Sequence, residues 1–239
     1  MAGRMDVTGG DSIRKAPSMF ARTACLTLAL TLPPAIVMAH PHVYIDAGLG
    51  MDYNADGDLA QITVQWAYDD FYSLLIIEDM VLDPDGDGIL TEDETRQLQG
   101  FDSEWEPGFD GRLFPTVDGT PVAMQPGRDF TARYQDGRLI STHVRVLDVP
   151  VQGDKPVQIQ VYDPEYYVQF SMPEAPAITG RDDCRIDLQS GDPVAAAAAY
   201  NKAVSDALDD DSMAQAEMLT VDIGDAGADQ VRVVCGATE

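Results

Sequence analysis

A twelve-residue segment, DPDGDGILTEDE at positions 83–94, places oxygen-bearing residues at the spacing of an EF-hand calcium loop. Such a loop takes ligands from its first, third, fifth, seventh, ninth and twelfth positions and needs glycine at the sixth. Gly88 occupies that sixth position. The residues at the ligand positions are Asp83, Asp85, Asp87, Ile89 through its backbone carbonyl, Thr91 and Glu94. Because four carboxylates suit a hard divalent cation, the segment predicts a Ca²⁺ site.

The residues on either side of this loop fit the two helices that an EF-hand requires. The stretch 71–82 predicts an entering helix. The apolar residues on one side of that helix are Phe71, Leu74, Leu75 and Leu82. Thr91 followed by Glu94 is a capping-box pattern, which predicts a leaving helix that runs to about Leu98. We therefore expect a helix-loop-helix insertion at about 69–100.

A second acidic segment, DYNADGDLAQIT at positions 52–63, resembles the same loop but ends in Thr63 instead of glutamate. Apolar and polar residues alternate around it, as in strands. The Asp56-Gly57 pair inside it is a common hairpin turn. We therefore interpret the segment as a β-hairpin and not as a second calcium site.

Two of the three histidines, His40 and His42, flank a proline directly after an apolar run that extends from Ala24 to Ala39. Basic residues precede the run and small residues end it, which predicts a secretory signal peptide over 1–39. Cleavage after Ala39 would leave an α-amine and two imidazoles at the mature terminus. These groups are ligands for transition metals. A square-planar amino-terminal chelate is excluded because Pro41 has no backbone N–H to lose.

The charge balance is strongly acidic, with 15 basic and 41 acidic residues and a formal net charge of −26. Such a chain repels nucleic acid and anionic membrane surfaces, so we expect no nucleic-acid partner and no membrane insertion after cleavage. Cys25 lies in the leader, and Cys184 and Cys235 remain in the mature part. An even pair in an exported chain predicts a disulfide between them.

Strand patterns dominate outside the calcium loop, with turns at Asp118-Gly119 and Asp136-Gly137. Residues 193–208 predict one helix, and QVRVVC at the carboxyl end predicts a closing strand. We expect a single periplasmic α+β domain over 40–239. Its strands should be mainly antiparallel and sandwich-like, with the EF-hand inserted and one C-terminal helix.

The chain contains no nucleophile elbow, glycine-rich phosphate loop or zinc-protease helix. No cysteine–histidine pair with catalytic spacing is present either. The expectation is therefore a protein that is not an enzyme.

Several segments together carry a resemblance to a known family. In chain order they are AHPHVYIDA, WAYDDFYS, DPDGDGILTEDE, YQDGRLISTHVRV, VYDPEYYVQF and DQVRVVC. The chain resembles a family of periplasmic proteins long labelled a domain of unknown function. Members are often encoded beside permeases of the nickel/cobalt type, and some are implicated in zinc acquisition. The resemblance implies an accessory protein that handles Zn²⁺, Ni²⁺ or Co²⁺ for such a permease.

Under this resemblance the expected transition-metal ligands are His40 and His42, with His143 and Asp163 as further candidates and Tyr166 beside them. Two alternatives remain open. One is a calcium-stabilised exported binding module without a transition-metal role. The other is a copper enzyme with a histidine brace made by the terminal amine, His40 and His143.

Overall fold

The computed structural model describes residues 41–209 and 220–236. The predicted signal peptide and His40 lie outside the described residues. Eleven strands and three helices make up the described part. The strands are β1 (Val43–Tyr53), β2 (Leu59–Tyr68), β3 (Leu113–Val117), β4 (Thr120–Pro121), β5 (Arg128–Gln135), β6 (Arg138–Val151), β7 (Val157–Val161), β8 (Val168–Ser171), β9 (Ala177–Thr179), β10 (Cys184–Gln189) and β11 (Gln230–Cys235). The helices are α1 (Asp70–Asp79), α2 (Glu92–Leu98) and α3 (Pro193–Leu208).

The strands form two sheets. The first has the order β5-β6-β2-β1-β8, and β9 also pairs with β1. The second has the order β10-β11-β7-β3-β4. Pairing is antiparallel except where β8 and β9 run parallel to β1. The α+β class with mainly antiparallel strands and a helix near the carboxyl end is therefore confirmed.

One hydrophobic core joins the inner faces of both sheets. Every second residue of β1 is buried, and β2 and β6 alternate in the same way over most of their length. From the first sheet, Met51, Ile62 and Val64 enter this core, and Ile159 and Val231 enter it from the second. This alternation is what a period of two residues produces when one face of each sheet is covered.

The predicted hairpin turns are confirmed at all three aspartate-glycine pairs. β1 pairs with β2, β3 with β4 and β5 with β6, each antiparallel. The glycine takes a positive φ in each turn, 80° at Gly57, 76° at Gly119 and 80° at Gly137. Helix α3 has the predicted bounds, and Asp192 caps its first turn by accepting from the amides of Val194 and Ala195.

Helix α1 differs from the prediction in its length and in its buried side. It ends at Asp79, and Phe71, Leu74 and Leu75 are exposed while Ser73 and Ile77 are buried. The prediction of a shared apolar face with Leu82 was therefore wrong. The reason is a tertiary contact: the Ser73 hydroxyl accepts a 2.8 Å hydrogen bond from the Leu139 amide of β6. This bond turns the serine side of the helix inward.

In the described part of the chain, no helix combines the length and the apolar character needed to cross a bilayer.

Candidate metal centres

The loop between α1 and α2 gathers three aspartates. Ligand atoms of Asp83, Asp85 and Asp87 all lie within 4.8 Å of one another. The Asp83 carboxylate accepts from the amides of Asp87 at 3.1 Å and Gly88 at 3.0 Å. Gly88 has φ of 77°, a conformation that glycine adopts without strain. The backbone thus folds around the first aspartate and directs three carboxylates to one point.

The charges within this loop favour a cation. The negative charge of Asp87 raises the pKa of Asp85, and Asp83 adds to the effect. Like charges at this separation repel, and a divalent cation between them would remove that repulsion. Oxygen donors match the preference of Ca²⁺, which takes about six to eight of them, so the three aspartates would supply part of its ligand shell. These exposed aspartates therefore form the arrangement of the described residues best suited to a hard metal ion.

Glu94 is the third residue of the leaving helix α2 and does not join the aspartate cluster. One of its oxygens accepts from both the amide and the hydroxyl of Thr91, each at 2.7 Å. The predicted capping box is present. These hydrogen bonds lower the pKa of Glu94. For Glu94 to coordinate Ca²⁺, its carboxylate must turn away from the cap and toward Asp83. The negative charge of Asp83 already acts on the Glu94 carboxylate.

The remaining predicted ligands of this loop lie on the surface. The Ile89 side chain is 70% exposed. This exposure is compatible with its predicted role, because only the backbone carbonyl of Ile89 would bind the ion.

The segment 52–63 is a hairpin in the structure. The Asn54 side chain accepts from the amides of Asp56 and Asp58, which closes the turn.

His42 lies next to the VYDPEYYVQF segment. Its amide donates to the Tyr167 carbonyl at 2.9 Å, and the two rings lie 4.8 Å apart. The first residues of β1 run parallel to β8, with Val43 opposite Val168. The imidazole is exposed. The two segments that carry the family resemblance most specifically are thus neighbours in the fold.

Asp163 holds that segment in place. Its buried carboxylate accepts from the amides of Tyr167 and Val168, both at 3.0 Å, and pairs with Arg112 at 3.0 Å. Tyr166 is also buried and adopts a φ of 56°. The oxygens of Asp163 are therefore committed to backbone amides and a guanidinium, which is a structural role.

His143 is fully buried in an aromatic cage on β6. Trp66 and Trp105 contact its ring edge-on at 5.0 and 4.9 Å, and Phe130 stacks on it at 5.4 Å. Neither ring nitrogen has a hydrogen-bond partner within the described ranges. Burial, with a contribution from the charge of Arg145, lowers the pKa of His143 to about 4. This ring is held as a neutral core residue.

The structure does not bring His42 and His143 together. His143 pairs with Val64, and Val64 pairs with Leu49, so the three lie across the sheet from one another. Leu49 lies seven positions beyond His42, a distance of about 23 Å along the strand. The buried ring of His143 therefore shares no site with His42.

A model of the family described as "Protein of unknown function (DUF1007)" matches residues 25–235. The chain belongs to this family. A comparison with curated proteins found no match. The match extends across both sheets, the loop 83–94 and the disulfide of this DUF1007 protein.

The predicted disulfide is confirmed, since Cys184 and Cys235 are bonded. The two cysteines are directly opposite each other on β10 and β11. The bond fastens strand β11 of the family member to its neighbour β10, and the two cysteines are separated by 51 positions in the sequence.

Sequence reasoning missed a cleft of about 360 Å³ beside Tyr167. Half of its lining residues are aromatic, and the charged residues Arg112, Asp163 and Glu165 also line it. The aromatic lining residues are Trp66, Tyr68, Tyr72, Phe109, Tyr167 and Phe170. The alternating pattern of β2 predicts that Trp66 and Tyr68 lie on the same face of the sheet. No pattern in the sequence near Phe109 predicts that it lines the same cleft.

Proposed function

We propose that this DUF1007 protein is an exported accessory protein that binds Ca²⁺ in the loop 83–94. The single observation that carries the proposal is the convergence of Asp83, Asp85 and Asp87 within 4.8 Å. Glu94 would supply a fourth carboxylate once it turned from its capping box with Thr91 toward Asp83. Ca²⁺ would join the two helices of the insertion, which is a stabilising role for an otherwise exposed loop.

The test is a calcium titration of the metal-free protein by calorimetry. The mature chain should bind one Ca²⁺. The substitution Glu94→Gln removes a charged, bidentate ligand, so we expect the affinity to fall more than tenfold. Calcium should also raise the thermal midpoint of the wild type, because the stabilisation grows with the logarithm of the ratio of free Ca²⁺ to the dissociation constant. The rise should be smaller in the variant.

Asp56→Asn provides the matched control, because Asp56 lies in the similar acidic segment that forms a hairpin turn. It should leave calcium affinity unchanged. The proposal fails if excess Ca²⁺ leaves the wild-type midpoint unaltered, or if Asp56→Asn weakens binding as much as Glu94→Gln.

A second proposed role is binding of Zn²⁺, Ni²⁺ or Co²⁺ at His40 and His42 for a membrane permease of the nickel/cobalt type. The observation that favours it is the exposed imidazole of His42 packed against Tyr167. It depends on export to the periplasm and cleavage after Ala39, so N-terminal sequencing of the periplasmic protein should begin at His40. His143 and Asp163 are left out of this proposed site because both are buried in other contacts.

This role is tested by titrating Zn²⁺ and Ni²⁺ with Ca²⁺ saturating, so that the acidic loop is blocked. The double variant His40→Ala with His42→Ala should lose binding, whereas His143→Leu should keep it. Retained binding in the double variant would place the site elsewhere, and absence of Zn²⁺ and Ni²⁺ binding in the wild type would leave the calcium-stabilised module as the function.

A further inference from the structure

A second cleft, of about 610 Å³, opens between the loop 105–110, strand β3 and the segment 121–126. It shares no residue with the calcium loop or with His42. Its walls are aromatic and proline-rich, and Tyr162 stacks on Phe114 there at 4.0 Å. This volume lies in the range of pockets that hold small organic ligands.

Arg145 from β6 lines this cleft and is only 4% exposed. Its Nε donates to the Gln125 carbonyl at 3.0 Å, and its Nη1 donates to the Asp110 carbonyl. The guanidinium also lies 5.7 Å from the Trp105 ring. Two nitrogens thus fasten the loops on either side of the cleft.

The third nitrogen, Nη2, has no acceptor among residues 41–209 and 220–236. Burial lowers the pKa of Arg145 and the negative charge of Asp110 opposes this, but no carboxylate within these ranges forms an ion pair with the guanidinium. An arginine stays charged in proteins, and a buried charge without a counter-ion in direct contact is unfavourable. An anion in the cleft would supply the missing acceptor and a counter-charge in direct contact. Nε and Nη1 make the hydrogen bonds to the two loops, so Nη2 can donate to a ligand without breaking either of them.

The other groups of the cleft restrict the kind of anion. Glu106 and Asp110 also line it. Their negative charges disfavour a ligand with more than one negative charge, and the chain as a whole is acidic. The flat walls made by Trp105, Phe109 and Tyr162 favour an apolar ring system.

We propose that this cleft binds a small monoanionic carboxylate with a flat apolar body. The carboxylate accepts from Nη2 of Arg145, and the ring packs against Trp105 and Tyr162. A charged donor to a carboxylate in an apolar cleft forms a strong hydrogen bond, which gives the site its preference for the anion. This inference goes beyond the proposed metal-binding function and does not depend on it.

The test compares two probes of equal shape, 2-naphthoate and the neutral 2-naphthalenemethanol, by calorimetry with Ca²⁺ saturating. We expect saturable binding of 2-naphthoate at least tenfold tighter than that of the alcohol. Arg145→Gln should lower the affinity for 2-naphthoate to that of the alcohol and leave the alcohol unchanged. A purely structural arginine would weaken both probes alike.

A cleft-filling variant keeps the test decisive if Arg145→Gln does not fold. Thr116 lies on β3 and lines the cleft, and tryptophan is favourable in strands, so Thr116→Trp should abolish 2-naphthoate binding. Val194→Trp, at a position 75% exposed on α3, is the matched control and should bind as the wild type does. Equal affinity for both probes, absence of saturable binding, or unaltered binding in Thr116→Trp would overturn the proposal.

Discussion

The buried histidine of β6 should make the stability of this protein depend on pH. The pKa of His143 is lowered from 6.5 to about 4, mainly because burial disfavours the charged ring. The folded state therefore favours the neutral form. The stability contribution of the neutral ring is fully present above pH 6.5 and is lost as the pH falls from 6.5 toward 4. At pH 5 the loss amounts to about 2 kcal/mol.

His143→Leu should remove this dependence. The variant loses ring contacts with Trp66, Trp105 and Phe130, and it also removes two buried nitrogens without partners. These effects oppose each other and act equally at both pH values. We therefore expect the difference in unfolding free energy between variant and wild type to shift by about 2 kcal/mol in favour of the variant between pH 7.5 and pH 5.

Urea unfolding at pH 7.5 and pH 5, with Ca²⁺ saturating and the disulfide intact, measures this shift. Leu139→Val is the matched control, since Leu139 is fully buried on the same strand and does not titrate. It should cost about 1 kcal/mol at both pH values. Equal losses of unfolding free energy in His143→Leu and the wild type on acidification would show that the His143 ring does not cause the pH dependence.

Two further predictions concern the disulfide and the buried carboxylate of Asp163. Replacing both Cys184 and Cys235 by serine should lower the unfolding free energy by about 4 kcal/mol, because the bond closes a loop of 51 residues in the unfolded chain. Chemical denaturation measures this loss, and a value below about 1 kcal/mol would contradict the prediction. Asp163→Ala should lower the unfolding free energy by about 3–5 kcal/mol, because it leaves Arg112 without its carboxylate and two amides without their acceptor. Thermal unfolding measures the effect, with Glu165→Ala as the control, and equal midpoints in the two variants would contradict the prediction.

Local signals predicted the parts of the structure that depend on neighbouring residues. The aspartate-glycine pairs fixed the hairpins at Gly57, Gly119 and Gly137, because a tight turn needs a positive φ. The contiguous segment 193–208 predicted the bounds of α3 correctly. The spacing of loop 83–94 brought its aspartates together, since the motif is contiguous.

Contacts between distant residues could not be predicted in this way. The buried side of α1 depends on Ser73 meeting Leu139 of β6. The cage of His143 needs Trp105 and Phe130 from other segments, and a strand pattern reveals only that His143 faces inward. The cleft at Arg145 forms only when three separate segments meet, so its sequence positions carry no common signal.

Binding of Ca²⁺ by the loop 83–94 is tested most directly by a calcium titration that is followed at each backbone amide. Backbone ¹H–¹⁵N spectra of the metal-free, ¹⁵N-labelled mature protein are recorded as Ca²⁺ is added. The largest shift changes should fall within residues 83–94 and include Gly88, whose amide donates to the Asp83 carboxylate that would bind the ion. The hairpin at Asp56 should not change. Shifts concentrated outside 83–94, or no shifts at millimolar Ca²⁺, would contradict the proposed site.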